Sequence, residues 1–558
     1  MRIAILQQNF VVGDIEGNTR KIAQGYKQAR IKGADLVVST ELGPFGYPPK
    51  DMLERKNYLY LQNKWLGILA AEVDKNVGLT VGAASKNYGD GKPLFNSAVL
   101  IENGRCTERC NKALLPTYDV FDESRYFESG KERGRTFVYK GYRIAMLVCE
   151  DIWNGSEDHD GHKMYYRDPV NELVDQRCDI LIVINGSPYY WGKGDVRFNL
   201  VRDIAKKLDC AVVYANQVGC QDELVFDGRS FAVNQYGRCI AAAKAFEEDL
   251  IVFDVDNQEK VEYPFDANRL DQLYDALVMG VRDYVHKSGF DSVVMGLSGG
   301  IDSALTACIA VDAFGARNVV GVSMPSEFSS DGSIEDARQL AENLGIDFHI
   351  IPINGIYDAF GSTLRPTTIG WNKPGDTQGD VTEENVQARI RGVLLMAFTN
   401  RVYPNRRFML LTTGNKSEGS EGYYTMYGDA AGGYAPLIDV YKTTVYKLAR
   451  YVNSGEEVIP RNTITKPPSA ELRHNQKDTD SLPDYEILDQ ILKLHIEEQK
   501  SWEDIVALTG YDEEVVRKAI RLLNKAEYKR RQYPPGPKVT AKAFGSGRRW
   551  PITGKYLD

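Results

Sequence analysis

Eight consecutive residues, Gly296, Leu297, Ser298, Gly299, Gly300, Ile301, Asp302 and Ser303, have the makings of a polyphosphate site. An apolar run leads into them and an apolar run of helical period follows. A turn from strand to helix aims successive backbone N–H groups and a helix N-terminus at one point, which is an anion cradle. Ser298, Gly299 and Gly300 permit close approach of a phosphate, Ser303 adds a hydroxyl, and Asp302 can hold Mg²⁺. The loop lacks the Gly-Lys-Ser/Thr ending of a Walker A loop, so it brings no lysine over a γ-phosphate.

The elements that must position this loop alternate in type. Residues 292–297 read as the strand before it and 303–314 as the helix after it. Further strands are predicted over 319–323, 347–352 and 407–412, with helical periodicity over 334–344 and 383–399. The stretch 360–381 is rich in Gly, Pro and Thr and reads as a mobile loop near a site. Upstream, strands are predicted over 2–8, 35–39, 79–85, 97–101, 143–148, 179–184 and 211–216. Ile22, Tyr26 and Ala29 share one face of a helix between the first two. Such alternation indicates an α/β protein. A chain of 558 residues exceeds a single core, and the boundaries expected are 1–255 and 271–558, with a polar linker at 256–270.

Bulk properties exclude some classes. Lys plus Arg number 68 against 77 Asp plus Glu, a net charge of −9, which argues against a nucleic-acid binder with a wholly basic surface. No run of 18 or more apolar residues marks a membrane span, and the N-terminal apolar run is too short for a signal sequence. The eight cysteines suit free thiols in a reducing compartment, so a cytoplasmic location is expected. Cys106 and Cys110 have no second Cys/His pair at zinc spacing.

The 296–303 loop resembles the SGGxDS loop of N-type ATP pyrophosphatases. That resemblance implies ATP as substrate, loss of Mg-pyrophosphate and transfer of AMP to a carboxylate. Three upstream segments resemble the nitrilase superfamily. They are Ser39-Thr40-Glu41-Leu42 with Gly46-Tyr47-Pro48-Pro49, the run from Asn111 to Tyr118, and Val148-Cys149-Glu150-Asp151-Ile152-Trp153. The resemblance implies an α-β-β-α sandwich carrying a Glu-Lys-Cys amidase. Cys149 would attack a glutamine carboxamide and pass through a thioester. Glu41 would take the thiol proton and return it to departing ammonia. Lys112 would stabilise the oxyanion, and Glu123 could pair with Lys112. The run from Asn185 to Lys193 looks like the family's glutamine-binding segment, which implies Tyr118, Ser187 and Lys193 as glutamine contacts. Other glutaminase designs fit poorly. Cys149 lies between Val148 and Glu150 rather than in a Gly-x-Cys-x-Gly elbow, position 2 is Arg, and the six histidines lack a triad context.

The acceptor is indicated by a resemblance to the NAD synthetase family, carried by the segments 383–391, 412–418, 427–429, 436–442, 467–472 and 527–532. It implies a Rossmann-like parallel sheet of the adenine nucleotide alpha hydrolase type. Thr413 would contact ATP, Asp302 and Glu418 would hold Mg²⁺, and Lys442 would approach phosphate. Asn385, Arg389, Glu418 and Lys529 would bind deamido-NAD, and 467–472 would close over pyrophosphate. The implied partners are small molecules (deamido-NAD, glutamine and ATP), with no nucleic acid and no membrane. The family also implies a sheltered ammonia tunnel and a dimer-based homo-oligomer. The resemblance is weakest over 154–168 and 360–381. Open alternatives are a related amidotransferase with another acceptor, an independent hydrolase fused to an ATPase, and a nucleotide-sensing scaffold.

Overall fold

The strand Arg2–Gln7 is buried on both faces, and its alternation assigns each face a core. Ile3 and Ile5 pack with Leu36, Val38, Ile144, Met146 and Val213, whereas Ala4 and Leu6 pack with Ile22, Tyr26, Leu69 and Leu79. The computed structural model describes residues 1–154, 164–257, 259, 261–263, 270–367, 370–372, 380–401 and 405–555. Packing separates two compact units, Met1–Asn268 and Arg269–Asp558.

The first unit has two six-stranded sheets. One runs Asp249–Asp254, Arg2–Gln7, Leu36–Val38, Gly78–Lys86, Leu94–Glu102, Arg105–Asn111. The other runs Cys239–Ala242, Phe231–Val233, Ala211–Asn216, Ile180–Asn185, Tyr142–Val148, Thr136–Tyr139. Each has three parallel strands near its centre and antiparallel pairs at its edges. The core shared by Ile3, Val38, Ile144 and Ile182 lies between the sheets. Helix Ile15–Ile31, whose N-terminus Asp14 caps by accepting from Gly17 N at 2.9 Å, covers the outer face of the first sheet. Helix Lys193–Leu208 covers the second through Phe198, Val201 and Ile204. The result is the expected α-β-β-α sandwich. Within 256–270, Tyr263 is buried and stacks on Phe198 at 4.9 Å, so the packing of this unit runs on to that residue.

The second unit is built on a four-stranded parallel sheet ordered Asp347–Ile350, Val319–Ser323, Ser292–Gly296, Phe408–Leu410. Strand order reverses beside Ser292–Gly296. In open α/β sheets, ligands bind beyond the carboxyl ends of the strands at that point. Helices Tyr485–Ile496, Trp502–Thr509 and Glu513–Lys525 form a separate apolar cluster through Leu488, Ile505, Val516 and Leu523.

One expectation needs correction. Residues 360–364 are not loop, because helix Asn354–Leu364 runs through them with Tyr357 and Gly361 buried. Residues 368–369 and 373–379 of that stretch, 155–163 of the polar insert, and 258, 260 and 264–269 of the linker lie outside the described residues. Among the described residues no helix is long and apolar enough to cross a membrane.

Candidate active sites

In the first unit, Glu41 follows strand Leu36–Val38, Lys112 follows Arg105–Asn111, and Cys149 opens the tight turn Cys149–Ile152 after Tyr142–Val148. Cys149 sits at φ +44°, in the left-handed region that non-glycine residues rarely adopt. Asp151 staples this turn to the Lys112 segment. Its carboxylate accepts from Val148 N at 3.0 Å, Ala113 N at 2.8 Å and Leu114 N at 2.9 Å.

Lys112 is closed to solvent and lies between two carboxylates, Glu41 Oε1 at 2.8 Å and Glu123 Oε1 at 2.7 Å. Asn96 Nδ2 donates to Glu41 Oε1 at 2.7 Å, the Gly186 N–H donates to Glu41 Oε2 at 2.8 Å, and the Tyr47 hydroxyl donates to Glu123 at 2.8 Å. Burial alone would discharge the Lys112 ammonium, but Glu123 and Glu41 override it and hold its pKa well above the usual range. Burial, then the Glu41 charge, pushes the Cys149 thiol well above its usual range, with Lys112 pulling the other way. The resting thiol is therefore protonated, and attack requires a base. The site holds one ammonium that can face an oxyanion and two hydrogen-bonded carboxylates, Glu41 and Glu123, of which Glu41 is the expected proton acceptor.

The wall around this group includes the expected glutamine contacts. Tyr118 OH lies 3.1 Å from both Glu150 oxygens, and Tyr165 OH lies 3.0 Å from Glu150 Oε1. Burial raises the Glu150 carboxyl to about 7, against the Lys112 charge and the hydrogen bonds of Tyr165 and Tyr118. Ser187 is buried, and its N–H donates to Asn216 Oδ1 at 2.9 Å. Lys193 starts helix Lys193–Leu208 with its ammonium 5.8 Å from the Trp153 ring, on the Cys149 turn, and 5.2 Å from the Tyr190 ring.

In the second unit the loop Gly296–Ser303 leaves the switch-point strand as expected. Gly299 has φ +77°, and a Cβ there would lie 2.2 Å from the Ser333 carbonyl oxygen, so only glycine fits. Ser303 Oγ donates to Gly300 O at 2.9 Å and accepts from Ser298 N at 3.3 Å, which closes the turn on itself. Asp302, on the first turn of helix Ile301–Phe314, accepts from Asn415 Nδ2 at 2.9 Å and from Lys442 Nζ. Lys442 Nζ also donates to Glu418 Oε1 at 3.0 Å. Thr413 follows the adjacent strand Phe408–Leu410.

The structure divides the four expected deamido-NAD residues. Three converge on one segment: Asn385 accepts from Thr425 Oγ1 at 2.8 Å, Arg389 Nε donates to Met426 O at 3.3 Å, and Lys529 Nζ donates to Gly422 O at 2.8 Å and Tyr424 O at 3.0 Å. Glu418 instead belongs to the Asp302–Lys442 group. The 467–472 segment reaches the neighbourhood of the loop: Glu471 accepts from the Ser330 and Ser333 hydroxyls at 2.9 and 2.7 Å.

The carbon-nitrogen hydrolase family model matches residues 2–265, and the NAD synthase family model matches residues 273–533. A glutamine-dependent NAD(+) synthetase of Synechocystis is 44% identical over 99% of this chain and 98% of its own. One of Aquifex aeolicus is 41% identical over the whole of both chains. The chain belongs to the glutamine-dependent NAD(+) synthetase family. A solved glutamine-dependent NAD(+) synthetase of Acinetobacter baumannii, in complex with ADP, is 41% identical with a TM-score of 0.76, covering 99% of this chain and 98% of that one. The synthetase of Cytophaga hutchinsonii, 21% identical with a TM-score of 0.82 over 99% and 98% of the two chains, shares the fold.

For a member of this family, the second-unit carboxylates raise the question of a metal. Among the described residues no group of three or more His, Cys, Asp or Glu could hold an ion. Two carboxylates, Asp302 and Glu418, do converge, on Lys442. Mg²⁺ commonly binds one or two carboxylates and takes its other ligands from phosphate and water, so the donor set fits.

Four partners in the candidate amidase site escaped the sequence reading: Asn96, Tyr47, Asp151 and the Gly186 amide. Tyr47, Asp151 and Gly186 lie inside quoted motifs, where their position was the available signal. Asn96 lies one residue before the strand predicted from 97, and nothing local marks it.

Proposed function

We propose that this chain makes NAD from deamido-NAD, ATP and glutamine, releasing AMP, pyrophosphate and glutamate. The observation that carries the reading is the full-length likeness to relatives bearing that name, with a closed Glu41–Lys112–Glu123 group beside Cys149 in one unit and the Gly299 loop in the other.

Glutamine enters against Tyr118, Ser187 and Lys193. Cys149 attacks the carboxamide carbon while Glu41 takes its proton. Charge developing on the carbonyl oxygen faces Lys112, whose ammonium is already desolvated and oriented, so little reorganisation is needed. Glu41 returns the proton to departing ammonia, and water then resolves the thioester.

In the second unit the N–H groups of the 296–303 turn receive phosphate oxygens of ATP, Ser303 Oγ joins them by turning its proton away from Gly300 O, and Thr413 lies on the facing strand end. Deamido-NAD lies along Asn385, Arg389 and Lys529 and presents its carboxylate to the α-phosphate. AMP transfer makes the carboxylate reactive, and ammonia displaces AMP. Mg²⁺ held by Asp302 and Glu418 would neutralise charge on the leaving pyrophosphate. Lys442 yields its place between these carboxylates and turns to phosphate. A sheltered path for ammonia, a cytoplasmic location that keeps Cys149 reduced, and a dimer-based assembly complete the reading.

Glutamine labelled with ¹⁵N at the amide tests it. In buffer containing unlabelled ammonium, the label is expected in the carboxamide of NAD. Unlabelled NAD formed beside labelled free ammonium would contradict the transfer.

A further inference from the structure

Arg197 is one of the largest fully buried side chains among the described residues, and its hydrogen bonds reach the site through Ser187. It stands one helical turn after Lys193 in helix Lys193–Leu208. Its guanidinium makes four hydrogen bonds. Nε donates to Ser187 Oγ at 3.1 Å, Nη2 donates to Ser187 O at 2.7 Å and Pro188 O at 2.8 Å, and Nη1 donates to Asp227 Oδ1 at 2.6 Å. Asp227 is also buried, so the pair is charge-compensated out of water.

These bonds fall on the segment that the proposed function assigns to glutamine. Ser187 has its N–H held by Asn216, its hydroxyl by Arg197, and its carbonyl by Arg197 at 2.7 Å and by Asn216 Nδ2 at 3.3 Å. The preceding residue, Gly186, donates its N–H to Glu41. Without Arg197, these buried acceptors would keep only the longer bond from Asn216 Nδ2 to Ser187 O, at 3.3 Å. One planar, five-donor cation satisfies them and locks the segment to the helix that carries Lys193.

We infer that Arg197 is the positioning residue of the glutamine-binding wall, fixing Ser187 relative to Lys193 without touching substrate. The inference rests on the amidase reading given above. It separates binding from chemistry. Glu41 shares only the Gly186 N–H with this segment and keeps its bonds from Asn96 and Lys112, so proton transfer is weakened less than binding when the wall loosens.

Arg197→Lys tests this directly, because a lysine preserves the charge opposite Asp227 but cannot bond two carbonyls and a hydroxyl in one plane. KM for glutamine is expected to rise about tenfold or more, with kcat falling by less than about threefold. NAD formation from ammonium is expected to stay unchanged. In Arg197→Ala, added guanidinium ion is expected to restore part of the glutamine KM, an effect that general destabilisation does not produce. An unchanged KM in Arg197→Lys would overturn the inference. So would loss of glutamine use in Arg197→Ala that guanidinium does not repair. The unsubstituted chain separates the two levels. Absence of glutaminase there defeats the amidase reading itself, whereas glutaminase present and unmoved in Arg197→Lys defeats only the positioning role.

Discussion

Lys112 Nζ stands 2.8 Å from Glu41 Oε1, and neither side chain reaches solvent. With Glu123 on the other side, one buried ammonium faces two buried carboxylates. Removing one member of such a group costs far more than the group contributes as a whole, because the remaining charges stay buried and unpaired. Lys112→Met is therefore expected to destabilise the first unit by about 3–5 kcal/mol and to abolish glutamate release. Denaturant unfolding followed by a first-unit tryptophan such as Trp153 measures the first, and a glutaminase assay the second. A stable, active variant would remove Lys112 from both roles.

Glu150 gives a pH signature. Burial raises its carboxyl from the ordinary 4.5 to about 7. The folded protein thus holds a proton that the unfolded chain releases between those values. Folding stability from this residue is complete below about 4.5 and falls as pH rises towards about 7. The loss is on the order of 3 kcal/mol. Glu150→Gln is expected to flatten that slope, measured as unfolding midpoints between pH 5 and 7 at roughly half-unit steps. Parallel profiles for the two proteins would refute the assignment.

Much of this arrangement was legible in the sequence, and the misses have physical causes. The strands Ala211–Asn216 and Val319–Ser323 were placed to the residue because both are continuous apolar runs buried on all sides. Arg105–Asn111 was not foreseen. Its sequence, RCTERCN, is that of a charged edge strand, held by pairing to Leu94–Glu102 rather than by apolar faces. Strands of three or four residues, such as Phe231–Val233 and Cys239–Ala242, are too short for a period to show. At the candidate amidase site, Glu41, Lys112 and Cys149 were expected from their flanking motifs, and Glu41 and Lys112 do meet in the structure. Asn96 and the Gly186 amide reach Glu41 only through pairings across 55 and 145 residues of chain, which no local pattern encodes.

Gly299 predicts a selective loss in the second unit. An alanine there would adopt a disfavoured φ and place Cβ 2.2 Å from the Ser333 oxygen, so the turn must shift. Gly299→Ala is expected to lower ammonium-dependent NAD formation by about 10²-fold or more while glutamate release persists. Wild-type ATP use in this variant would show that the turn does not cradle phosphate.

Asp302→Asn removes one of the two carboxylates that meet at Lys442. Synthetase activity is expected to fall by about 10²-fold or more, with a higher Mg²⁺ concentration needed for half-maximal rate. An unaltered Mg²⁺ dependence would exclude Asp302 as a ligand.

The most direct measurement follows NAD, AMP and ADP from deamido-NAD, ATP and Mg²⁺, supplied with either glutamine or ammonium, in the unsubstituted chain and in Cys149→Ala. The account predicts NAD with equimolar AMP from both nitrogen sources in the unsubstituted chain, and from ammonium alone in Cys149→Ala. Production of ADP instead of AMP, or glutamine-dependent NAD from Cys149→Ala, would contradict it.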